Sequence, residues 1–346
     1  MTDRATLDTV TTTDRARGCL AGVALGDAMG MPGELWPRQR VVSTFGWIDR
    51  FLPGPDGHFV VDGFAAGQVT DDTQQTYMLA EAILAAGGTV DTAVVARHLV
   101  EWADRVGASE GNFLGPSSAR AIRLLREGAD PAETGKGGET NGAAMRIVPV
   151  GLLHRSDRLD ALVDGVVAAS LMSHHTSVAI SGASLVAGTV SAAVEAPGSA
   201  DRATRLAEAL EVGYEAGRLG ATRGEQVVSP SVVRRARWAA DLARQPGDDA
   251  DFLADLYDLV GGGVATAESV PAAIGLLVRS GADPLRCAVL AANLGGDTDT
   301  IGAIATGMAG AVSGLSAIPR DLFDQLRAVN GIDPEKLADA LLDHRH

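Results

Sequence analysis

Glycine recurs at every fourth position, Gly18, Gly22, Gly26 and Gly30, within a stretch that from Asp14 to Met29 reads as one helix. Each interior glycine costs a helix about 1 kcal/mol relative to alanine, so four on one face require a neighbour that comes close to the backbone. Tight helix packing accounts for Gly18 and Gly22, whereas Gly26-Asp27-Ala28 is expected to end near a site. A second small-residue face lies in the uncharged run Ile301–Ala311, where Gly302, Thr306 and Gly310 repeat the spacing and permit close packing against another helix.

Immediately before that run stands Gly295-Gly296-Asp297-Thr298-Asp299-Thr300, two carboxylates and two hydroxyls behind two glycines that let the chain turn sharply. An aspartate before a helix ordinarily caps free backbone N–H groups. The sharper reading is that Asp297, Asp299 and Thr300 bind a divalent cation through oxygen, as Mg²⁺, Mn²⁺ and Ca²⁺ prefer. One loop seldom completes such a shell. A second cluster, Gly67-Gln68-Val69-Thr70-Asp71-Asp72-Thr73, opens another helical pattern over 74–86. Adjacent carboxylates repel, so a buried Asp71-Asp72 pair needs a cation or several N–H donors beside it.

The chain of 346 residues, 46% hydrophobic, is long enough to bury a large core, and one domain over 1–346 is expected. A formal net charge of −15 argues against a nucleic-acid surface but not against a small anion, because a metal site supplies positive charge locally. Cys19 and Cys287 form neither a CxxC pair nor a disulfide framework, and Met1–Thr13 shows no apolar signal region, so a cytoplasmic setting is the expectation. The uncharged runs Thr176–Val194 and Thr300–Pro319 approach membrane-spanning length. Both are built of Ala, Gly, Ser and Thr, which insert weakly, so they read as central helices and no membrane association is expected.

Further helical patterns fall at 89–105, 116–127, 157–172, 177–194, 201–219, 231–244, 268–280, 284–293 and 334–344. Met31–Trp36 reads as loop because Pro32 and Gly33 break the helix, which leaves Glu34 a carboxylate on a flexible segment. The Gly- and Pro-rich stretch 45–67 reads as a long loop over a site. Asn112-Phe113-Leu114-Gly115-Pro116 is a turn into a helix, with Phe113 best explained as core packing. The glycine-rich segment from Gly135 into Asn141-Gly142-Ala143-Ala144-Met145-Arg146 exposes N–H groups at a helix start, the arrangement that holds phosphate, although it lacks a Walker or dinucleotide spacing. His174 and His175 point in different directions, so at most one serves a site. Gly261-Gly262-Gly263 is a connection or a substrate-side loop. With strand signals scarce, the reading is an all-α domain.

Gly18–Gly30 with Glu34, then Thr70–Thr73, Asn141–Arg146, Ser173-His174 and Gly295–Thr300 together resemble the ADP-ribosylglycohydrolase family. That family includes the dinitrogenase reductase-activating glycohydrolase and the ADP-ribosyl-acceptor hydrolases. The likeness runs in family order over nearly the whole chain, and it is the ordered set that is specific. It implies a compact orthogonal all-α bundle with a two-metal cleft, Mg²⁺ or Mn²⁺. Thr70, Asp71, Asp72 and Asp299 would hold one ion, and Asp297, Asp299 and Thr300 the other. Glu34, Asp71 and Asp299 form the implied catalytic set, with Glu34 transferring protons while the metals position ribose hydroxyls and water. The segment Asn141, Gly142, Ala143, Met145 and Arg146 would cradle phosphates, His174 would contact the ligand, and Phe113 and Gly115 would line the acceptor side.

The implied reaction is hydrolysis at C1″ of ADP-ribose by a monomer acting on an ADP-ribosylated protein side chain, O-acetyl-ADP-ribose or a nucleobase. Members acting on ADP-ribosyl-arginine often carry Asp-Ile-Gly where this chain has Phe113-Leu114-Gly115, which weakens an arginine assignment. A catalytically silent ADP-ribose-binding or structural member is the alternative. Prenyl synthases also use aspartate clusters, but Asp71-Asp72-Thr73-Gln74-Gln75 lacks their third acid, and aromatic residues are only 4% of the chain. His-Asp phosphohydrolases need a His-Asp doublet, which is absent from the sequence.

Overall fold

The structure, a computed structural model, describes residues 10–108 and 114–346. Its first nine α-helices are α1 (Thr12–Gly30), α2 (Arg38–Phe45), α3 (Asp71–Ala85), α4 (Thr92–Arg105), α5 (Pro116–Arg126), α6 (Pro131–Thr134), α7 (Gly142–Arg146), α8 (Val148–Leu153) and α9 (Leu159–Ser170). The remainder are α10 (Ser177–Glu195), α11 (Arg202–Gly220), α12 (Val232–Ala243), α13 (Asp249–Asp255), α14 (Thr266–Arg279), α15 (Pro284–Ala292), α16 (Thr298–Ser313), α17 (Arg320–Asn330) and α18 (Pro334–Asp343). Among the described residues, β pairing is limited to isolated bridges, so the all-α expectation holds.

Two glycine faces organise the bundle by meeting each other. A Cβ on Gly18 would lie 2.4 Å from the Gly314 carbonyl carbon, on Gly22 2.3 Å from Thr306 O, on Gly26 2.0 Å from Gly302 O, and on Gly30 2.2 Å from Thr298 O. Rising numbers on α1 face falling numbers on α16, so the two helices run antiparallel with backbones in contact. From Arg15 onward α1 is buried along almost its whole length, with Leu25, Met29, Trp36, Phe51 and Phe323 in a second apolar cluster on its other side. A helix apolar all round belongs inside.

The same device joins α10 to α11, where a Cβ on Gly188 would lie 2.6 Å from Ala216 Cβ and one on Gly213 2.0 Å from Thr189 Oγ1. By length and composition α10 could cross a membrane, but 89% of its apolar window is buried inside the bundle. Helix starts follow capping chemistry: the carboxylates of Asp91, Asp201 and Asp283 accept N–H bonds at α4, α11 and α15.

Five α-helices were not legible in the sequence: α2, α6, α8, α13 and α17, of which α6 and α8 are only four and six residues long. α2 and α17 follow prolines and are rich in charge, and α13 is a seven-residue turn of helix continued by a π turn over Leu256–Val260. The expected helix to Pro319 stops at Ser313, because Gly314 takes φ +86° and a 3₁₀ turn follows. The loop expected over 45–67 is helix-free except for Phe45, the last residue of α2, and extends to residue 70, whereas Met31–Gly33, read as loop, forms a 3₁₀ turn around Pro32.

Candidate active site

The antiparallel α1–α16 pair sets the C-terminal end of α1, with Asp27, beside the N-terminal end of α16, with Asp297 and Asp299. The start of α3, with Thr70, Asp71 and Asp72, meets them. Asp27, Asp72 and Asp299 each offer an oxygen, and these three atoms lie within 4.8 Å of one another. Thr70 Oγ1 sits among them, 2.9 Å from Asp27 Oδ1, 3.0 Å from Asp72 Oδ2 and 3.5 Å from Asp299 Oδ2. Two helix N-termini therefore point at one acidic cluster, where their dipoles favour negative charge.

Simple capping does not explain these acids. No side chain of its own segment caps α3 or α16. Asp27 does that work for α3 from another helix: it accepts from Thr70 N at 3.0 Å, Thr73 N at 3.0 Å and Thr73 Oγ1 at 2.5 Å. Asp297 accepts from Asn141 Nδ2 and from Thr300, while Asp71 Oδ2 accepts from Gln75 Nε2 at 2.7 Å. Among the described residues, three buried carboxylate oxygens of this cluster have no hydrogen-bond partner: Asp72 Oδ1, Asp299 Oδ1 and Glu34 Oε2.

Burying carboxylates without donors is unfavourable by several kcal/mol unless positive charge lies nearby. Among the described residues, no Lys or Arg makes a salt bridge with Asp27, Glu34, Asp71, Asp72, Asp297 or Asp299. Burial pushes Asp27 and Asp297 up to about 6, opposed by their hydrogen bonds. Burial, with the charges of Asp27 and Asp297, pushes Asp71 to about 8. Asp72, Asp299 and Glu34 rise well above the usual carboxylate range for the same two reasons, burial first. An all-oxygen set with unpartnered anionic atoms at its centre fits a hard divalent cation. Asp72, Asp299 and Thr70 are best placed as direct ligands, because Asp27's lone pairs are engaged in capping α3.

Glu34 is not on a flexible segment, contrary to expectation. Leu35 N–H donates to Gly296 O at 2.7 Å, Gly296 N–H donates to Trp36 O at 2.8 Å, and His58 Nε2 meets the Glu34 carbonyl at 3.0 Å. The Trp36 ring stacks on Phe45 and carries the Arg40 guanidinium at 3.7 Å. These restraints hold Leu35 at φ +55°, a sparsely populated conformation for a side-chain-bearing residue, and place the carboxylate against the cluster. The 46–70 segment reaches this edge of the site through His58. Gly295 and Gly296 take φ +87° and +84°, and Gly262 O accepts from Asp297 N–H at 2.7 Å, so the triple-glycine segment borders the cluster.

On the other side, Asn141 precedes α7 and touches Asp297, with Gly142, Ala143 and Met145 buried behind it. A Cβ on Gly142 would lie 2.8 Å from His174 Cε1, so only glycine fits. Arg146 is 1% exposed: Nη1 donates to Gln75 Oε1 at 2.8 Å and Nη2 to Ser173 Oγ. The imidazole of His174 is wholly buried, Nδ1 2.9 Å from Ser173 Oγ and Nε2 3.0 Å from Thr140 Oγ1. Burial, followed by the charges of Arg146 and Arg120, keeps that ring neutral. The side chains of Arg146 and His174 are thus engaged with protein groups rather than open to a phosphate. Gly115 is exposed at the start of α5, and Phe113 lies outside the described residues.

Asp27 and Gln75 escaped sequence reasoning. Asp27 directly follows Gly26 in a glycine-rich helix, and the expectation that Gly26-Asp27-Ala28 ends near a site was the only hint.

A family model described as ADP-ribosylglycohydrolase matches residues 8–346. The uncharacterized protein YegU of Escherichia coli is 41% identical over 96% of this chain and 98% of its own length. The ADP-ribosyl-[dinitrogen reductase] glycohydrolase of Rhodospirillum rubrum is 26% identical, covering 95% of this chain and 96% of its own. Among solved structures, an ADP-ribosylglycohydrolase-related protein complex shares the fold, with TM-score 0.67, 24% identity and coverage of 97% and 99%. Matched by that model over residues 8–346 and folded around an acidic cluster at the junction of α1, α3 and α16, this chain belongs to the ADP-ribosylglycohydrolase family.

Proposed function

We propose that this protein hydrolyses the C1″ glycosidic bond of an ADP-ribosylated acceptor and releases ADP-ribose. In this reading Thr70, Asp71, Asp72, Asp297, Asp299 and Thr300 hold two divalent cations, Mg²⁺ or Mn²⁺. The observation that carries it is the meeting of Asp27, Asp72 and Asp299 around Thr70, with one oxygen each of Asp72 and Asp299 unpartnered and the Glu34 carboxylate, also with an unpartnered oxygen, in electrostatic reach of Asp299. The name of the R. rubrum relative, an ADP-ribosyl-protein glycohydrolase, supports the acceptor class.

Bound cations would supply the positive charge that orients ribose hydroxyls and water. Glu34, whose hold on its proton is strengthened by burial and by the carboxylates around it, gives that proton to the departing acceptor atom as positive charge grows at C1″. Once ionised, it takes a proton from the attacking water. Asp71, the least buried of the aspartates, faces the substrate side. Asn141, Gly142, Ala143 and Met145 bind the pyrophosphate end, with Gly115 and Phe113 on the acceptor side. Phe113 in place of a carboxylate favours an acceptor other than arginine.

The test incubates metal-stripped protein with arginine-, serine- and nucleobase-linked ADP-ribose and with O-acetyl-ADP-ribose, with and without Mg²⁺ or Mn²⁺. Free ADP-ribose is expected from at least one substrate, only with cation. Cation-dependent ADP-ribose binding without turnover of any substrate would instead make the protein a silent binding member.

A further inference from the structure

Among the described residues Arg146 is a buried cation whose side-chain hydrogen bonds go to Gln75 and Ser173 rather than to a carboxylate, and burial lowers it only to about 10, so it is charged at neutral pH. A guanidinium can only donate. Gln75 must therefore turn its carbonyl oxygen to Arg146, which aims its NH₂ at Asp71 Oδ2, 2.7 Å away. The amide cannot be flipped without setting N–H against N–H at one end and oxygen against carboxylate at the other. With Oδ2 held, the Asp71 carboxylate is not free to turn about its Cβ–Cγ bond.

The second branch follows the same accounting. Ser173 is wholly buried, and among the described residues its hydroxyl meets Arg146 and His174 Nδ1. It accepts from Arg146, so its single proton goes to Nδ1. His174 then carries its own proton on Nε2 and donates to Thr140 Oγ1, which donates to Ser117 Oγ at 2.9 Å. The opposite tautomer would leave the Ser173 proton without an acceptor in a dry interior. Every donor in the chain from Asp71 to Ser117 points away from Arg146.

We infer that Arg146 is a positioning residue whose outward-pointing donors fix the Asp71 carboxylate through Gln75 and the Nε2–H tautomer of His174 through Ser173. One buried charge thereby orders the cation side and the opposite wall of the site. Only the description of Asp71 as a metal ligand rests on the proposed function.

Two readouts, neither requiring turnover, test it. In ¹⁵N-histidine-labelled protein, with the His174 signals identified by their loss in His174→Gln, the native ring is expected as Nε2–H. Mn²⁺ affinity is read by calorimetry. Arg146→Met cuts both branches at once and strips two buried groups of their donor, so each branch is also cut alone. Gln75→Met is expected to weaken Mn²⁺ about tenfold, as loss of a group that holds a metal ligand does, with the tautomer unchanged. Ser173→Ala is expected to release the tautomer preference with Mn²⁺ affinity unchanged. A native Nδ1–H ring, or Gln75→Met protein that binds Mn²⁺ like the native form, overturns the inference. If native protein binds no Mn²⁺ at all, the metal reading fails, and the tautomer experiment still decides the Ser173 branch.

Discussion

Replacing Gly26 with alanine puts one methyl group where the structure has none to spare. The new Cβ would meet Gly302 O at 2.0 Å, Gly302 C at 2.3 Å and Thr306 Oγ1 at 2.8 Å. The first two are backbone atoms of a packed helix, so no rotamer change relieves the contact. Reaching even 3.0 Å requires α1 and α16 to part by about 1 Å at this level. Overpacking of this kind costs about 1–3 kcal/mol, towards the upper end where the clashing atoms are backbone, and alanine returns about 1 kcal/mol of helix propensity, so a net loss approaching about 2 kcal/mol is expected. Asp27 follows Gly26 directly and faces Asp299 across the same junction, so a shift of about 1 Å also spoils the cation site, whose tolerance is about 0.5 Å.

Gly18→Ala is the comparison that isolates this second effect. Its Cβ would lie 2.4 Å from Gly314 C, a similar clash, but eight residues or about 12 Å further along the helix. Chemical denaturation of the cation-free proteins should show both variants destabilised to a similar degree. Mn²⁺ titration should show affinity lost in Gly26→Ala and retained in Gly18→Ala. A Gly26→Ala protein as stable as the native one would refute the packing argument, and equal loss of affinity in both would refute the claim that register at this end sets the site.

Asp299→Asn removes a buried carboxylate whose Oδ1 has no donor, so the cation-free protein should gain stability while Mn²⁺ binding, followed by calorimetry, falls below detection. Stability of the cation-free protein should decline as pH rises. Folded-state values near 6 for Asp27 and Asp297 and near 8 for Asp71 lie above the unfolded value of about 3.9, so their contribution is complete below about pH 4 and is lost through pH 6 to 8. Urea midpoints at pH 4.5, 6 and 8 measure this, and saturating Mn²⁺ should flatten the trend. Glu34→Gln should leave Mn²⁺ affinity within about threefold and lower turnover by about 10²–10⁴, the range for a lost acid–base group; unchanged turnover would remove Glu34 from proton transfer.

Much of this protein was decided locally. The four-residue glycine period required a helix in backbone contact with another, and the paired acids at Asp71-Asp72 and Asp297–Asp299 were legible as acidic clusters at helix starts. Both follow from short-range geometry, because helical periodicity and like-charge repulsion operate within a few residues of sequence. What lay outside that range was partnership. Sequence could not say that the Gly18–Gly30 face meets the Gly302–Gly310 face, since any small-residue surface would have satisfied either one. It could not single out Asp27, whose role depends on capping a helix that begins more than forty residues later. Nor could it foresee that Arg146 and His174 turn inward to Gln75, Ser173 and Thr140, or that Glu34 is pinned by Gly296 and His58. Those outcomes rest on which donor each buried acceptor finds, and that pairing exists only after distant helices have closed on one another.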